Sequence, residues 1–590
     1  MAIYFDKQER NPALMFMLRQ LLVLLLSFFL VSCSTTTLED LNPIDSKTLK
    51  NLNPLNSSFL KDFDPFKETE KESERGSIGF VRGFLGAVVV DEPRAALIGR
   101  DVLSSGGTVA DVAVAVSLTL AVTQPSSASL GGGGVCLLYD NASNTVETLD
   151  FLPGVSQINR SNNNALSAIP GTLRGLAILH SKYGRLKWGQ LVAPAENLAR
   201  FGNPVSRAFA NDLRQLPLSA WKNLEFRRLF SQGKGGQLIQ EGDSFRQLEL
   251  ATILGKIRVR GAGEFYTGLL GRNFTTAVGQ SGGGFTLNEL RNYMPNWQPT
   301  LQFPYIKNTI FHFPVTSGPS GILAAQMIGM LVEDDNWDDA STLEKYQLMA
   351  EISSITNSYS KKWLRKDGTT SVSSSSLVSQ SLAAKLVSQI QSTKKSSIIN
   401  NKKIFSSLSP GTGTSFVAVD REGSAISCGL TLNNLFGTGK IAPGTGILLS
   451  STPRFQRRGA DSLAGILLIN PIGNEFFFAA SASGGPVSSS ALVQVTANTL
   501  MGGKKENLKQ AVASPRIFLQ KENNVTFYEE SLNSNLIEHL SKRGHQLSSE
   551  KSLGQVNAIF CSNGLPNKDG AFCSKNSDPR GFGLSSGSEQ

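Results

Sequence analysis

The stretch SLSPGTGTSFVAVD (407–420) decides how this chain is read, because its texture changes within it. Upstream, from about 366 to 413, the chain is Ser, Lys, Asn and Gln with little apolar content, a composition that predicts a solvated, cleavable linker. Downstream, SFVAVD (415–420), SAISCGL (424–430), AGILLIN (464–470) and EFFFAAS (475–481) follow one another with short turns, REG and PIGN, between them. These β-branched and aromatic runs bounded by turn residues read as successive strands.

The half before the linker is mixed. A short β run, AVVV (87–90), precedes a helix from about Pro93 to Ser104 and an Ala/Val helix from Val109 to Val122 that is apolar all round and therefore buried. LGGGG (130–134) then leads into the apolar strand GVCLLYD (134–140). Further helices are expected over 171–183, 187–201, 206–215, 244–259 and 320–333. An α/β fold of two packed sheets covered by helices accounts for both halves.

The amino terminus reads as an export signal. Lys7, Arg10 and Arg19 precede an apolar run from Leu21 to Val31, which is short for a spanning helix. The run ends in LVSC (30–33), the pattern at which a bacterial lipoprotein is cleaved and acylated on cysteine, so residues 1–33 are expected to be removed or converted into a lipid anchor at Cys33. Residues 34–77 are polar without periodicity and read as a tether, leaving 78–413 and 414–590 as the two parts of the body. The expected location is the periplasm, on a membrane through the lipid.

The net charge of +10 arises from 57 Lys+Arg against 47 Asp+Glu, and the chain carries no zinc pattern, arginine-rich helix or RNA-binding signature, so nucleic acid is not an expected partner. The four histidines, His180, His312, His539 and His545, have no ligand spacing, so no metal is expected and no cofactor is implied. Cys561 and Cys573, twelve residues apart, are expected to form a disulfide in an oxidising compartment. Cys136 and Cys428 lie in apolar strand-like runs and read as small buried side chains.

Eight segments occur in an order that resembles the gamma-glutamyltransferase family: GGTVADVAVA (106–115), TQPSSASLGGGG (123–134), IPGTLRG (169–175), KYGRLKWGQLVAPAENLARFG (182–202), EFYTGLLG (264–271), TLNNLFGTG (431–439), SGG (483–485) and SDPR (577–580). The resemblance implies a four-layer αββα N-terminal-nucleophile hydrolase fold, made as a precursor and cut into large and small subunits that stay together. It also implies a threonine that attacks its own preceding carbonyl and then serves as nucleophile. The freed α-amine, with a reference pKa of about 7.7 to 8.0, acts as base without histidine.

By the same resemblance Thr414 is the nucleophile, with Thr412 in reserve. Thr431 and Asn433 match positions that hydrogen-bond nucleophile and substrate, and Gly484 and Gly485 match the oxyanion hole. The match has departures. Counting back from Asp420, the family's threonine falls at Gly413, and no histidine follows it. The arginine that grips the substrate carboxylate is Leu152 in DFLP (150–153), the acidic residue for the substrate amine aligns near Arg454 and Phe455, and the serine pair is Asp461 and Ser462. A rebuilt site is expected in which Arg454 takes the carboxylate and Asp461 the amine. The function expected is an amide hydrolase or acyl transferase acting on gamma-glutamyl compounds such as glutathione. The alternatives are a catalytically silent, lipid-anchored binding relative and an acylase for other side-chain amides, related to cephalosporin acylases.

Overall fold

The computed structural model describes residues 84–158, 167–216, 220–316, 318–365, 370–392, 412–452, 463–502, 507–520, 524–567 and 573–587. With numbers given only to the strands of the two large sheets and to the longer helices, the first part runs β1 (Gly86–Val90), α1 (Pro93–Ser104), α2 (Val109–Thr123), β2 (Gly133–Asp140), β3 (Thr145–Asp150), α3 (Thr172–Tyr183), α4 (Trp188–Phe201), α5 (Leu248–Arg260), β4 (Asn296–Pro299), β5 (Leu301–Pro304), β6 (Ile310–Phe313), α6 (Ser320–Asp334), α7 (Thr342–Ser360) and α8 (Gln380–Ser392). The second part supplies β7 (Thr414–Asp420), β8 (Ala425–Thr431), β9 (Leu463–Asn470), β10 (Glu475–Ser483), α9 (Ser488–Leu500), β11 (Gln555–Leu565), β12 (Cys573–Asn576) and β13 (Leu584–Gly587).

One sheet has the order β13-β1-β7-β8-β2-β3-β4 and the other β12-β11-β10-β9-β6-β5, so each is woven from both parts of the chain. Side-chain alternation along the strands creates the layers. On β1 and β7, Val88, Val90, Phe416 and Ala418 pack beneath the helix layer that contains α1, α2, α4 and α5. Their neighbours Ala87, Val89, Val417 and Val419 face the second sheet, meeting Leu467, Ala479 and Ile559. The far face of that sheet, through Ile466, Leu468 and Ala480, is covered by α6, α7 and α9. The result is a four-layer αββα fold.

Helix α2 shows why the GGTVADVAVA segment folds as it does. Thr108 and Asp111 form a capping box, with the Thr108 N–H donating to Asp111 Oδ2 at 3.0 Å. The buried Asp111 carboxylate also accepts from the backbone N–H groups of Arg185 and Leu186, at 3.0 and 3.1 Å to Oδ2, which ties the KYGRL turn to the start of α2.

Two expectations change. The linker expected over 366–413 contains α8, whose Ala383 and Leu386 are buried in the cluster around α6. Gln326 on α6 donates to Leu377 O at 3.0 Å just before it. Its apolar residues recur at helical spacing within a polar segment, so composition hid the periodicity. Cys136 and Cys428, expected as separate buried side chains, are directly opposed in the β2–β8 register and joined in a disulfide. Pairing of strands 292 residues apart brings them together. Cys561 and Cys573 are likewise cross-strand partners, on β11 and β12, and are disulfide-bonded.

At the end of β7, Asp420 is buried, and burial followed by the charge of Glu422 pushes its carboxyl up to about 7. The folded chain therefore holds a proton there that the unfolded chain releases. This contribution favours folding below the ordinary carboxylate range and is lost as pH rises to about 7. Asp420→Asn keeps an acceptor for the Ser424 N–H, 2.9 Å from Oδ1. Its stability relative to wild type, read from melting curves between pH 4 and 8, is expected to increase with pH through that window and then level off.

Candidate functional site

The site lies where β1, β7, β8 and β10 end together. Residue 414 opens β7 opposite Leu430, so Thr431 follows beside it at the end of β8. Asp91, the residue after β1, turns its carboxylate into this corner and is almost wholly buried. Its Oδ2 accepts from the Thr414 hydroxyl at 3.0 Å, the Ser415 N–H at 2.7 Å and the Ser483 hydroxyl at 3.3 Å. Oδ1 accepts from the Asn557 amide at 2.7 Å, and that amide also donates to Ser415 O at 2.9 Å. Burial raises the proton affinity of Asp91 against the opposing effect of these hydrogen bonds, and the nearby Asp578 charge raises it further.

Ser483 is the last residue of β10, and Gly484 and Gly485 continue from it into the short turn that starts α9. Both have positive φ, 126° and 79°, and a Cβ on Gly484 would stand 2.7 Å from Gly554 Cα, so only glycine fits. Among the described residues neither N–H is taken up by another group, as a pair of oxyanion donors requires. Gly554 is held from beneath by Arg516, whose Nη1 donates to Gly554 O at 2.9 Å and whose Nη2 pairs with Asp578 at 2.6 Å. Asp578 also accepts from the Val556 N–H at 2.8 Å, and Arg580 pairs with Glu529. The SDPR segment thus supplies a buried ion cluster that supports the glycine turn.

Thr431 and Asn433 form a tight turn of their own. The Asn433 N–H donates to Thr431 Oγ1 at 2.9 Å, its φ is +65°, and its side-chain amide donates to Ser451 O at 2.7 Å. They stand beside the Thr414 end of the sheet, but none of these hydrogen bonds reaches the Thr414 hydroxyl, which Asp91 holds instead. Gly413 has φ +91°, which favours glycine at that position. Thr412 lies before it and is partly exposed. Leu152 is half-buried, with its carbonyl accepting from the Tyr293 hydroxyl at 2.7 Å and its N–H donating to Asp150 at 3.0 Å. Arg454, Asp461 and Ser462, together with Cys33, lie outside the described residues.

Sequence reasoning missed Asp91, Asn557 and Asp212. Asp212 accepts from the Ser126 hydroxyl at 2.5 Å and the Gln124 amide at 3.3 Å, beside the segment that leads to LGGGG. Burial, opposed by these bonds and reinforced by the Asp91 charge, pushes its carboxyl up to about 6. The only local signal for Asp91 was an acidic residue closing the AVVV run. Asn557 and Asp212 gave none, since their partners are distant in sequence. Among the described residues no group of three His, Cys, Asp or Glu side chains is placed to hold a metal, and no helix is long and apolar enough to cross a membrane.

Residues 95–588 match the family described as Gamma-glutamyltranspeptidase. The chain is similar to Scoloptoxin SSD14 of Scolopendra dehaani, 26% identical over 532 residues, with 82% of this chain and 90% of the relative covered. It is also similar to the glutathione hydrolase proenzyme of Escherichia coli (strain K12), 29% identical over 398 residues, with 63% and 67% covered. In fold, it resembles the crystal structure of cephalosporin acylase from Bacillus halodurans, with a TM-score of 0.71 at 20% identity over 89% of this chain and 99% of the acylase. Family signature, strand-end site and four-layer architecture agree: the chain belongs to the gamma-glutamyltranspeptidase family of N-terminal-nucleophile hydrolases and transferases.

Proposed function

We propose that this protein is an amide hydrolase or acyl transferase that cuts its own chain before Thr414 and then uses Thr414 as nucleophile on a gamma-glutamyl compound such as glutathione. The observation that carries the reading is the Thr414 hydroxyl, fixed on the buried Asp91 carboxylate at the strand end that also bears Ser483 and the two free glycine amides. Cutting the Gly413–Thr414 bond frees an α-amine beside the hydroxyl, which supplies the base for acyl transfer. Gly484 and Gly485 then receive the charge that develops on the substrate carbonyl oxygen. The related glutathione hydrolase proenzyme supports both the chemistry and the precursor. Arg454 and Asp461 are assigned to the substrate carboxylate and amine, in place of the contact that Leu152 cannot make.

A second reading, a silent binding relative, is favoured by Gly413 standing where the family has its threonine and by the full burial of Thr414 in the uncut chain. Export and lipid anchoring at Cys33 are part of the proposal. They are supported by the basic and apolar amino terminus and by two disulfides of a kind that persists in oxidising compartments.

N-terminal sequencing and intact mass of the purified protein test the cut. A fragment beginning at Thr414 is expected, and an uncut chain after long incubation removes the enzyme reading in favour of the silent one. Because Cys136 and Cys428 lie on opposite sides of the cut, the two fragments are expected to migrate as one species on a non-reducing denaturing gel and to separate only after reduction.

Substrate recognition is tested at Leu152. A charged hydrogen bond contributes about 1.5–3 kcal/mol, so Leu152→Arg is expected to lower KM for a gamma-glutamyl anilide by roughly tenfold or more. An unchanged KM, together with faster turnover of acyl anilides lacking the α-carboxylate, indicates the acylase alternative.

A further inference from the structure

We propose that Asp91 is the catalytic group that takes the Thr414 hydroxyl proton when the chain cuts itself. The inference rests on Thr414 being the residue exposed by that cut, and it adds the base for a step that takes place before any α-amine exists. In the uncut chain the nitrogen of Thr414 is an amide and cannot accept a proton at neutral pH, so the first attack needs another acceptor. Among the described residues the Thr414 hydroxyl donates to one group, Asp91 Oδ2, at 3.0 Å.

The carboxylate is held in place for this task. Asn557 binds Oδ1 at 2.7 Å and is itself tied to Ser415 O at 2.9 Å, while the Ser415 N–H fixes Oδ2 at 2.7 Å on the residue next to the nucleophile. Rotation of the carboxylate away from Thr414 would break the bonds it accepts from Asn557 and from the Ser415 N–H. Burial also removes the water that would otherwise stabilise its charge, which makes it a stronger proton acceptor than an exposed aspartate. Among the described residues the charges that act on it are those of Asp578 under the glycine turn, itself paired with Arg516, and of Asp212 beside Ser126.

The step balances without a co-reactant other than water. The Thr414 proton passes to Asp91 Oδ2 as Oγ1 bonds to the carbonyl carbon of Gly413. The bond from that carbon to the Thr414 nitrogen breaks, and the proton returns from Asp91 to the nitrogen, giving the α-amine and an ester. Water hydrolyses the ester to the Gly413 carboxylate and the regenerated Thr414 hydroxyl. Gly413, with φ +91°, is the residue whose carbonyl is attacked.

The test follows cleavage of the full chain over time between pH 5 and 9, with the new N-terminus sequenced and folding checked by thermal melting. Asp91→Asn is expected to remain folded, to slow the cut by about 100-fold or more, and to abolish its rise with pH. Ser483→Ala removes the 3.3 Å donor to Oδ2 without changing charge; the carboxylate then binds its proton more tightly, and the pH profile shifts upward. This second variant decides the matter if Asp91→Asn does not fold. A wild-type cut at Thr414 with either a folded Asp91→Asn at wild-type rate or an unshifted Ser483→Ala profile overturns the role of Asp91 alone. A wild-type chain that never starts a fragment at Thr414 overturns the proposed function and this role with it.

Discussion

The pairing of Thr414–Asp420 between β1 and β8 is the contact on which the molecule is organised. All seven residues of that strand are buried, since one face lies beneath helices and the other against the second sheet. A strand in this position pairs with a neighbour along both edges and has no solvent-facing side, so its register is strongly specified. Moving it by one residue would exchange Phe416 and Ala418 with Val417 and Val419 between the two cores. The same register sets Thr414 opposite Leu430 and delivers its hydroxyl to Asp91, so the chemistry at the strand end is held by the packing along its length.

That corner is expensive in electrostatic terms, and the structure spreads the cost. Asp91 is compensated by four donors, three of them neutral side chains, with no cation in contact among the described residues. Beneath the glycine turn the opposite solution is used: Arg516 and Asp578 are both 1% exposed and directly paired. Breaking one member of such a buried pair is destabilising by about 3–5 kcal/mol, because the remaining charge is left without compensation. The ion cluster therefore reads as a rigid support for Gly554 and, through it, for the close approach of Gly484.

The Cys136–Cys428 bridge adds a covalent link between the parts of the chain before and after residues 393–411. Hydrogen bonds of the β2–β8 pair, and the shared cores, already hold the two parts together. A cut before Thr414, as proposed, would leave both sheets intact, since each contains strands from both sides. Such interleaving would hold the two parts together after a cut at the central strand.

Much of the architecture was legible locally. Apolar runs with turn residues marked β7 to β10, an all-round apolar pattern marked α2 as buried, and the SGG and TLNNLFGTG segments marked two of the turns that meet at the site. Helix α8 was masked by its Ser- and Lys-rich surroundings. Elements and turns could be read locally, because periodicity, capping and positive-φ glycines are properties of neighbouring residues. The folded chain alone brings Asp91 to Thr414 across 323 residues, closes the same carboxylate with Asn557, and joins two cysteines in separate strands. Those contacts follow from strand order and register, which arise from burial of whole sheet faces and leave no mark on any short stretch of chain.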